Sequence, residues 1–508
     1  MDNKNLYIAL TLGPIGRISS YAEDTKGIWA SSYLFVYIAK QIIRPMYEKR
    51  DFLLPQWSKA GCQEKDMRMF APQSGAGLCP DHYIFKAEEG DFDVLADICD
   101  NVYRQTAELI ADTIRKDYDK VEQFLRQSIK IYFCEHAFGS DASEQGIVDE
   151  CNKMLNAMEC EDTFPPKEEQ NYFKLFFASV NGSFLTRDAY GTTTDDKDPR
   201  LIKTIFEYSA GELSERLGTS LVKLASEEMP MPREVCTYHK YIAIVKADGD
   251  NMSKMLKAIY DDSQHTIHDL DQQLLEYNLT VGELIRKFGG VPIYTGGDDL
   301  LFFAPVMYKG NTIFQLLKRI DSTFNEYMKA VGVSAVPTLS FGLSISYYKF
   351  PMFEAKDKAE ALLEEAKSQD SNKNRICWSL RKHSGQTIEG VIEKTSEAMY
   401  DDIMKLIHNY IAELSDEEWL SSVVYWLAKE EEMLTEVIEN DNMLHAYIVN
   451  NFNEDVHKDS KKKILAGIEE FLKNHMLTPR LATDVKLSVL RTLYASLRFV
   501  LFVKKKER

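Results

Sequence analysis

The sequence predicts an α/β protein with an all-α C-terminal part, and three observations carry that expectation. Apolar runs of strand length alternate with amphipathic stretches in two separate blocks, 6–134 and 238–385. After residue 387 strand signals disappear and helical periodicity alone remains. At 508 residues the chain is long for a single core, so three or four domains are expected.

In the first block, Leu6-Tyr-Ile-Ala-Leu-Thr-Leu12 reads as a buried strand stopped by Gly13-Pro14. A helix is expected over Thr25–Glu48, with Ile28, Trp29, Tyr33, Val36, Tyr37 and Ile43 near one face. Polar, Pro-containing sequence follows from Leu54 to Pro80. Then come a strand at His82–Ala87, a helix at about Phe92–Asp117 and a strand at Ile129–Cys134. Residues 140–235 read as mostly helical and acidic, and Met229-Pro-Met-Pro232 reads as a linker.

The second block opens with the strand Tyr241–Ala247, followed by the strand–turn–strand pair Val291–Thr295 and Leu300–Ala304. A late strand, Pro337–Ser346, leads into a helix at Phe353–Lys367. This order argues for a palm, with helices on one face of a mainly antiparallel sheet. Beyond it, Ser415-Asp-Glu-Glu418 is a capping box opening a helix whose stripe is Trp419, Leu420, Val423, Val424 and Leu427. Further amphipathic stretches near 392–413, 440–452, 459–475 and 480–504 imply a four- or five-helix bundle.

Composition narrows the class. Hydrophobic residues make up 44 % and charged residues 28 %, the balance of a soluble globular protein. No apolar run approaches membrane-spanning length and the N-terminus has no signal-peptide pattern, so a cytoplasmic protein without membrane contact is expected. A net charge of −18 argues that contact with RNA or DNA is local or made through a partner. Eight cysteines, at 62, 79, 99, 134, 151, 160, 236 and 377, form no C-x-x-C pair. Cys79-Pro-Asp-His82 and Cys134-Glu-His136 have ligand-like spacing, but neither fits a known zinc knuckle, and ordinary packing is expected instead.

The chemistry lies in two acidic motifs. Asp248-Gly-Asp250 closes the strand at 241–247, and Gly296-Gly-Asp-Asp299 sits between the paired strands. If those strands are neighbours, four carboxylates meet at one sheet edge and need a cation between them. Hard oxygen ligands favour two Mg²⁺ or Mn²⁺ ions, which bring substrate phosphates with them. Asp248, Asp298 and Asp299 are the expected catalytic ligands, with Asp250 completing the metal set. Gly249 lets a backbone carbonyl approach a metal, while Gly296 and Gly297 allow positive φ and leave room for a nucleotide. Asn251, Met252 and Ser253 begin a helix whose N–H groups can receive a triphosphate, and Lys367 and Lys373 are the expected cations. The chemistry expected is transfer of a nucleotidyl group from a nucleoside triphosphate.

Lys246-Ala-Asp-Gly-Asp-Asn-Met252 and Tyr294-Thr-Gly-Gly-Asp-Asp-Leu300 resemble the signature pair of the large palm-domain subunit of type III CRISPR effector complexes. Ser340-Phe-Gly-Leu-Ser344, Ala366-Lys367 with Lys373-Asn374, and Lys382-His-Ser-Gly385 continue the match in order. Gly13-Pro14-Ile and Thr25-Lys-Gly-Ile-Trp29-Ala-Ser-Ser-Tyr-Leu34 are similar to the first palm of the Cmr (type III-B) form.

The resemblance implies two adenylyl-cyclase/GGDEF-like palms, a helical insert and a C-terminal helical bundle. The corresponding ranges are 1–138, 139–235, 236–387 with the Gly-Gly-Asp-Asp motif, and 388–508. It also implies antiviral defence as part of a complex with other Cmr-type subunits, a guide crRNA and target RNA. On capturing target, such subunits use ATP to make cyclic oligoadenylate messengers or, in some lineages, join AMP to an acceptor such as S-adenosyl methionine.

Two departures from the family pattern have consequences. The chain begins at the palm strand rather than at an HD nuclease domain, and its one His-Asp dipeptide, His268-Asp269, has no partner His at nuclease spacing. DNase activity is therefore not expected. Glu23-Asp-Thr-Lys-Gly-Ile28 replaces the usual pattern before the first-palm Trp. Glu23 or Asp24, with Ser31, Ser32 and Tyr33 lining the position, could then select a non-ATP acceptor. The competing readings are a catalytically idle scaffold for guide and target RNA and a diguanylate-cyclase-like enzyme.

Overall fold

The computed structural model describes residues 4–505 apart from 23–24, 59–65, 71–77, 161–170, 180–235, 263, 348–349, 369–372, 414–416, 438–440, 453–458 and 478–480. The chain divides into two compact units, one of Met1–Thr204, Asn251–Phe302 and Ile320–Thr338, the other of Ile205–Asp250, Phe303–Arg319 and Leu339–Arg508.

The first unit holds a four-stranded sheet in the order β2-β3-β1-β4, from β1 (Lys4–Gly13), β2 (Phe52–Leu54), β3 (His82–Ala87) and β4 (Lys130–Gly139). β1 runs antiparallel to both β3 and β4. It is buried on both faces, which is why its sequence is a nearly unbroken apolar run. Among the described residues six helices accompany the sheet: α1 (Ile15–Ser19), α2 (Thr25–Tyr47), α3 (Asp91–Ile114), α4 (Tyr118–Ser128), α5 (Glu144–Glu159) and α6 (Tyr172–Ser179). α5 lays Ile147, Val148, Cys151 and Leu155 against Tyr7, Ala9 and Ile84, uniting a helical stripe with alternate strand positions. Tyr47, Phe52, Trp57 and Phe70 form an aromatic cluster beside β2. The helix expected over 92–117 stops at Ile114, where Arg115 turns left-handed at φ 53°, and α4 follows as a separate helix.

The later part of the first unit contributes α7 (Met252–Asp261), α8 (Ile267–Lys287) and β6 (Val291–Gly296). α8 opens with a capping box in which Asp269 accepts from the Thr266 backbone N–H at 2.8 Å. His268 donates its backbone N–H to Gln56 Oε1 at 3.0 Å, and its Nδ1 lies 2.8 Å from the Gln56 carbonyl. The His268-Asp269 pair is therefore employed in starting a helix and tying it to the segment after β2.

The remaining strands are β5 (Tyr241–Asp250), β7 (Asp299–Pro305), the short pair β8 (Met307–Tyr308) and β9 (Asn311–Thr312), β10 (Thr338–Tyr347), β11 (Arg375–Arg381) and β12 (Thr387–Glu393). The six-stranded sheet has the order β12-β11-β10-β5-β7-β6. β10 and β11 are parallel, joined through α10 (Met352–Ser368), whereas β12 returns antiparallel to β11. α9 (Ile313–Ala330) lies between β9 and β10 in sequence. Gly342 of β10 is required by close approach, since a Cβ there would lie 2.0 Å from the Ala359 carbonyl oxygen of α10.

β12 corrects the expectation that strands end at 387. Its apolar residues are few because it is an edge strand, with Ile388 and Ile392 buried and the charged Glu389 exposed. Among the described residues six helices follow: α11 (Glu397–Glu413), α12 (Glu417–Lys429), α13 (Glu431–Val437), α14 (Asp441–Asn451), α15 (Asp459–Met476) and α16 (Thr483–Lys504). That is one more than the upper expectation, because the short α13 carries too little sequence to show a period. α16 is the central helix of this group and packs on α11, α12, α13, α15 and β12. Among the described residues no helix is long and apolar enough to cross a membrane.

Candidate active site at the acidic strand ends

β5 delivers the first motif. Its residues up to Val245 are buried, so the strand is held rigidly, and Asp248 and Asp250 project from its last turn of pleat. Asp250 is completely buried. Its Oδ2 accepts from Ser340 Oγ of β10 at 2.8 Å and from the Asn374 backbone N–H at 3.0 Å. Lys373 and Asn374 both adopt positive φ, 25° and 54°, at the entry to β11, which faces that N–H toward Asp250. These bonds fix the orientation of the buried carboxylate at the strand end.

Asp248 is half-buried and forms an ion pair with Lys367, which reaches over from the last turn of α10. The same ammonium donates to the Gly249 carbonyl oxygen at 3.1 Å. Burial, with Lys373 and Lys246 nearby, pulls the Lys367 pKa down to about 8, and contact with Asp248 opposes that pull. Lys246 is engaged with Glu360 at 2.8 Å, which keeps the carboxyl of Glu360 below its ordinary range.

The second motif lies in the turn from β6 into β7. Gly297 has φ 59°, and a Cβ there would meet nothing within 4 Å. Gly296 is the last residue of β6 and is not among the glycines of positive φ, so the turn needs that freedom at Gly297 alone. The Asn278 amide of α8 donates to the Gly297 carbonyl at 3.0 Å and fixes the turn. Asp298 is half-buried and Asp299 exposed at the start of β7. Burial, with Asp321 and Asp298 nearby, holds the Tyr277 hydroxyl well above its usual range.

The structure thus gathers Asp248, Gly249, Asp250, Lys367 and Lys373 around the ends of β5, β10 and β11. Asp298 and Asp299 lead into β7, the strand beside β5 in the sheet order. Asn251 takes a left-handed conformation, φ 62°, as N-cap of α7, whose first turn contains Met252 and Ser253. The donor set fits a divalent cation: Asp248 and the Gly249 carbonyl are hard oxygens, and both already grip one positive charge, the Lys367 ammonium.

The ligand-like Cys/His fragments do not converge. His82 pairs across from Thr11, whereas Cys134 and His136 pair with Ala9 and Tyr7 on the far side of β1. Two strand spacings, roughly 9–10 Å, separate β3 from β4. His82 instead contacts Glu159 at 2.9 Å and Asn152 at 3.1 Å. Ser31, Ser32 and Tyr33, expected to line an acceptor position, are buried in α2, where Ser31 Oγ donates to the Ile28 carbonyl and Tyr33 stacks on Trp29. Glu23 and Asp24 lie outside the described residues.

Sequence reasoning missed a cavity of about 440 Å³ in the first unit, walled by Asp271 and Asn278 of α8, Asn152 and Asn156 of α5, His82, and Gly297. The available signal was a pair of polar residues, Asp271 and Asn278, one heptad apart beside Leu274 and Leu275 of an amphipathic helix.

Residues 241–377 match the family model described as Cas10/Cmr2, second palm domain. A curated relative, the CRISPR system Cmr subunit Cmr2 of Pyrococcus furiosus, is 26 % identical over 176 residues, covering 30 % of this chain and only 20 % of the relative's length. The type III-B Cmr-beta structure in its apo state aligns with a TM-score of 0.56 at 11 % identity, over 98 % of this chain and 82 % of that one. Cmr-beta bound to cognate target RNA aligns with a TM-score of 0.52, also at 11 % identity, over 98 % and 83 %. The α/β palm architecture with added helices is borne out, as is the resemblance to the large palm subunit of the type III-B form.

Proposed function

We propose that this chain, a palm subunit of the Cas10/Cmr2 type, is the RNA-activated nucleotidyltransferase of a type III-B antiviral complex, using ATP and divalent metal to make a nucleotide messenger. The observation that carries the reading is the grip of Asp248 and the Gly249 carbonyl on one cation at the end of β5. The strand entered from the Gly-Gly-Asp-Asp turn lies next to β5 in the sheet.

Asp248, Asp250, Asp298 and Asp299 would hold two Mg²⁺ or Mn²⁺ ions, which when bound lower the pKa of the attacking group and offset charge on the leaving pyrophosphate. The N–H groups of Asn251, Met252 and Ser253 at the start of α7 receive the triphosphate, and the open face at Gly296 and Gly297 leaves room for the nucleoside. Lys367 exchanges its contact with Asp248 for the phosphates, joined by Lys373. An acceptor oxygen forms a bond to the α-phosphorus, the bond from that phosphorus to the pyrophosphate oxygen breaks, and pyrophosphate leaves with the electron pair. Any proton on the acceptor oxygen passes to solvent. The product is a cyclic oligoadenylate, or AMP joined to an acceptor such as S-adenosyl methionine.

Partner subunits, guide crRNA and target RNA would supply activation; the shared fold with Cmr-beta bound to cognate target RNA supports this part of the reading. The test is reconstitution with Cmr-type subunits and guide, followed by incubation with labelled ATP and Mg²⁺. Pyrophosphate release and an adenylate product that require target RNA are expected. ATP left intact in the presence of target would overturn the proposal.

A further inference from the structure

The cavity beside the Gly-Gly-Asp-Asp turn has a chemical character that the donor site lacks. Gly297 forms part of its wall, and Asn278, also in the wall, holds the Gly297 carbonyl, so cavity and turn are one rigid construction. Its volume of about 440 Å³ is of the size that encloses a small organic ligand. Among the described residues two carboxylates, Asp81 and Asp271, line it and no Lys or Arg does, so that His82 is the one described side chain there able to become cationic. A triphosphate in such surroundings would meet repulsion and find no fixed positive charge.

Asp271 accepts a hydrogen bond from the backbone N–H of Gln56, and no Lys or Arg among the described residues pairs with it. Burial, with Glu144 nearby, pushes its pKa up to about 7, the mark of a carboxylate without a counter-ion. The Oδ1 of Asn278 is buried without a hydrogen-bond partner, a second acceptor left unused at the same wall. A ligand carrying positive charge and N–H donors would complement both groups.

We propose that this cavity receives the acceptor of the transfer reaction, that the acceptor is a small organic cation, and that Asp271 is its counter-ion. The inference rests on the nucleotidyltransferase reading and gives its second substrate a class. Asp271 is then a specificity-determining residue that acts by charge, while an oxygen elsewhere on the acceptor performs the attack.

Two matched pairs of probes test this by calorimetric binding to the full chain at pH 8, without turnover. S-adenosyl methionine and S-adenosyl homocysteine differ in the sulfonium charge; 5′-amino-5′-deoxyadenosine and adenosine differ in an ammonium. The charged member of at least one pair should bind about tenfold tighter or more, and the pair that shows the preference identifies the cation. Asp271→Asn keeps an acceptor for Gln56 but removes the charge, and should reduce the preference to within about twofold. Equal binding within both pairs, no binding by any probe, or a preference that survives Asp271→Asn would overturn the proposal. Mg²⁺-dependent binding of a fluorescent ATP analogue by the same wild-type preparation reports the donor site separately, so failure of one reading is distinguishable from failure of the other.

Discussion

Lys367 and Asp248, 119 residues apart in sequence, form an ion pair at the end of β5, and the lysine also donates to the carbonyl of the intervening Gly249. The ammonium thus sits on two oxygens of the expected metal-binding motif. It arrives there from the last turn of α10, a helix anchored by its buried residues Ala359, Leu362, Leu363 and Ala366. The lysine is placed by packing, and its partner by a central strand.

Replacing Lys367 with Met should lower kcat/KM for ATP by about tenfold or more, the scale of a lost charge-assisted hydrogen bond. Lys367→Arg should recover only part of this, because a planar guanidinium cannot reproduce a point charge on two oxygens. Steady-state kinetics of the reconstituted complex over a range of ATP concentrations would show it. Unaltered kinetics in both variants would remove Lys367 from the site.

Asp298→Ala with Asp299→Ala should bring product formation below detection while leaving assembly with guide RNA intact. Asp298 is only half-buried and Asp299 exposed at a turn, so neither supports the core. Thin-layer or mass-spectrometric product analysis, run beside native electrophoresis of the complex, separates the two effects. A fully active double variant contradicts the assignment.

Asp271 gives a pH-dependent stability prediction independent of catalysis. Burial and Glu144 raise its folded-state pKa to about 7, and the Gln56 N–H offsets only part of this. Between an ordinary carboxylate value and 7 the folded protein binds more protons than the unfolded chain, so this group's contribution to stability falls as pH rises through that window. Asp81 and His82 line the same cavity. Asp271→Asn should therefore raise the melting temperature more at pH 8 than at pH 4.5. Equal gains at both, measured by thermal unfolding, would contradict a raised pKa.

Gly342→Ala should destabilise the second unit by about 1–3 kcal/mol. The new methyl would lie 2.0 Å from the Ala359 carbonyl and 2.5 Å from the Leu363 amide nitrogen, both helix backbone atoms that cannot swing aside. A lower unfolding transition by differential scanning fluorimetry is the expected outcome, and an unchanged one would mean that α10 can move off the sheet.

Much of this protein was determined locally by its sequence. β3 runs over His82–Ala87, the residues its apolar run marks out, and α10 over Met352–Ser368 beside an expected Phe353–Lys367. Those elements are legible because hydrophobic period and turn residues act over a few positions. The two acidic motifs are legible for the same reason, being contiguous carboxylates at strand ends. Tertiary structure decided what depends on distant partners. β12 exists because β11 offers it an edge, although Glu389, Gly390 and Glu393 give it little apolar signal of its own. Cys134 and His136 are kept from His82 because β1 runs between their strands, a matter of strand order that spacing cannot express. Asp271 and Asn278 look like ordinary polar positions of an amphipathic helix, and become cavity walls only where α8 meets the segment after β2 and the turn at Gly297. Periodicity specifies which face of a helix is apolar; what that face encloses is set by the elements that pack against it.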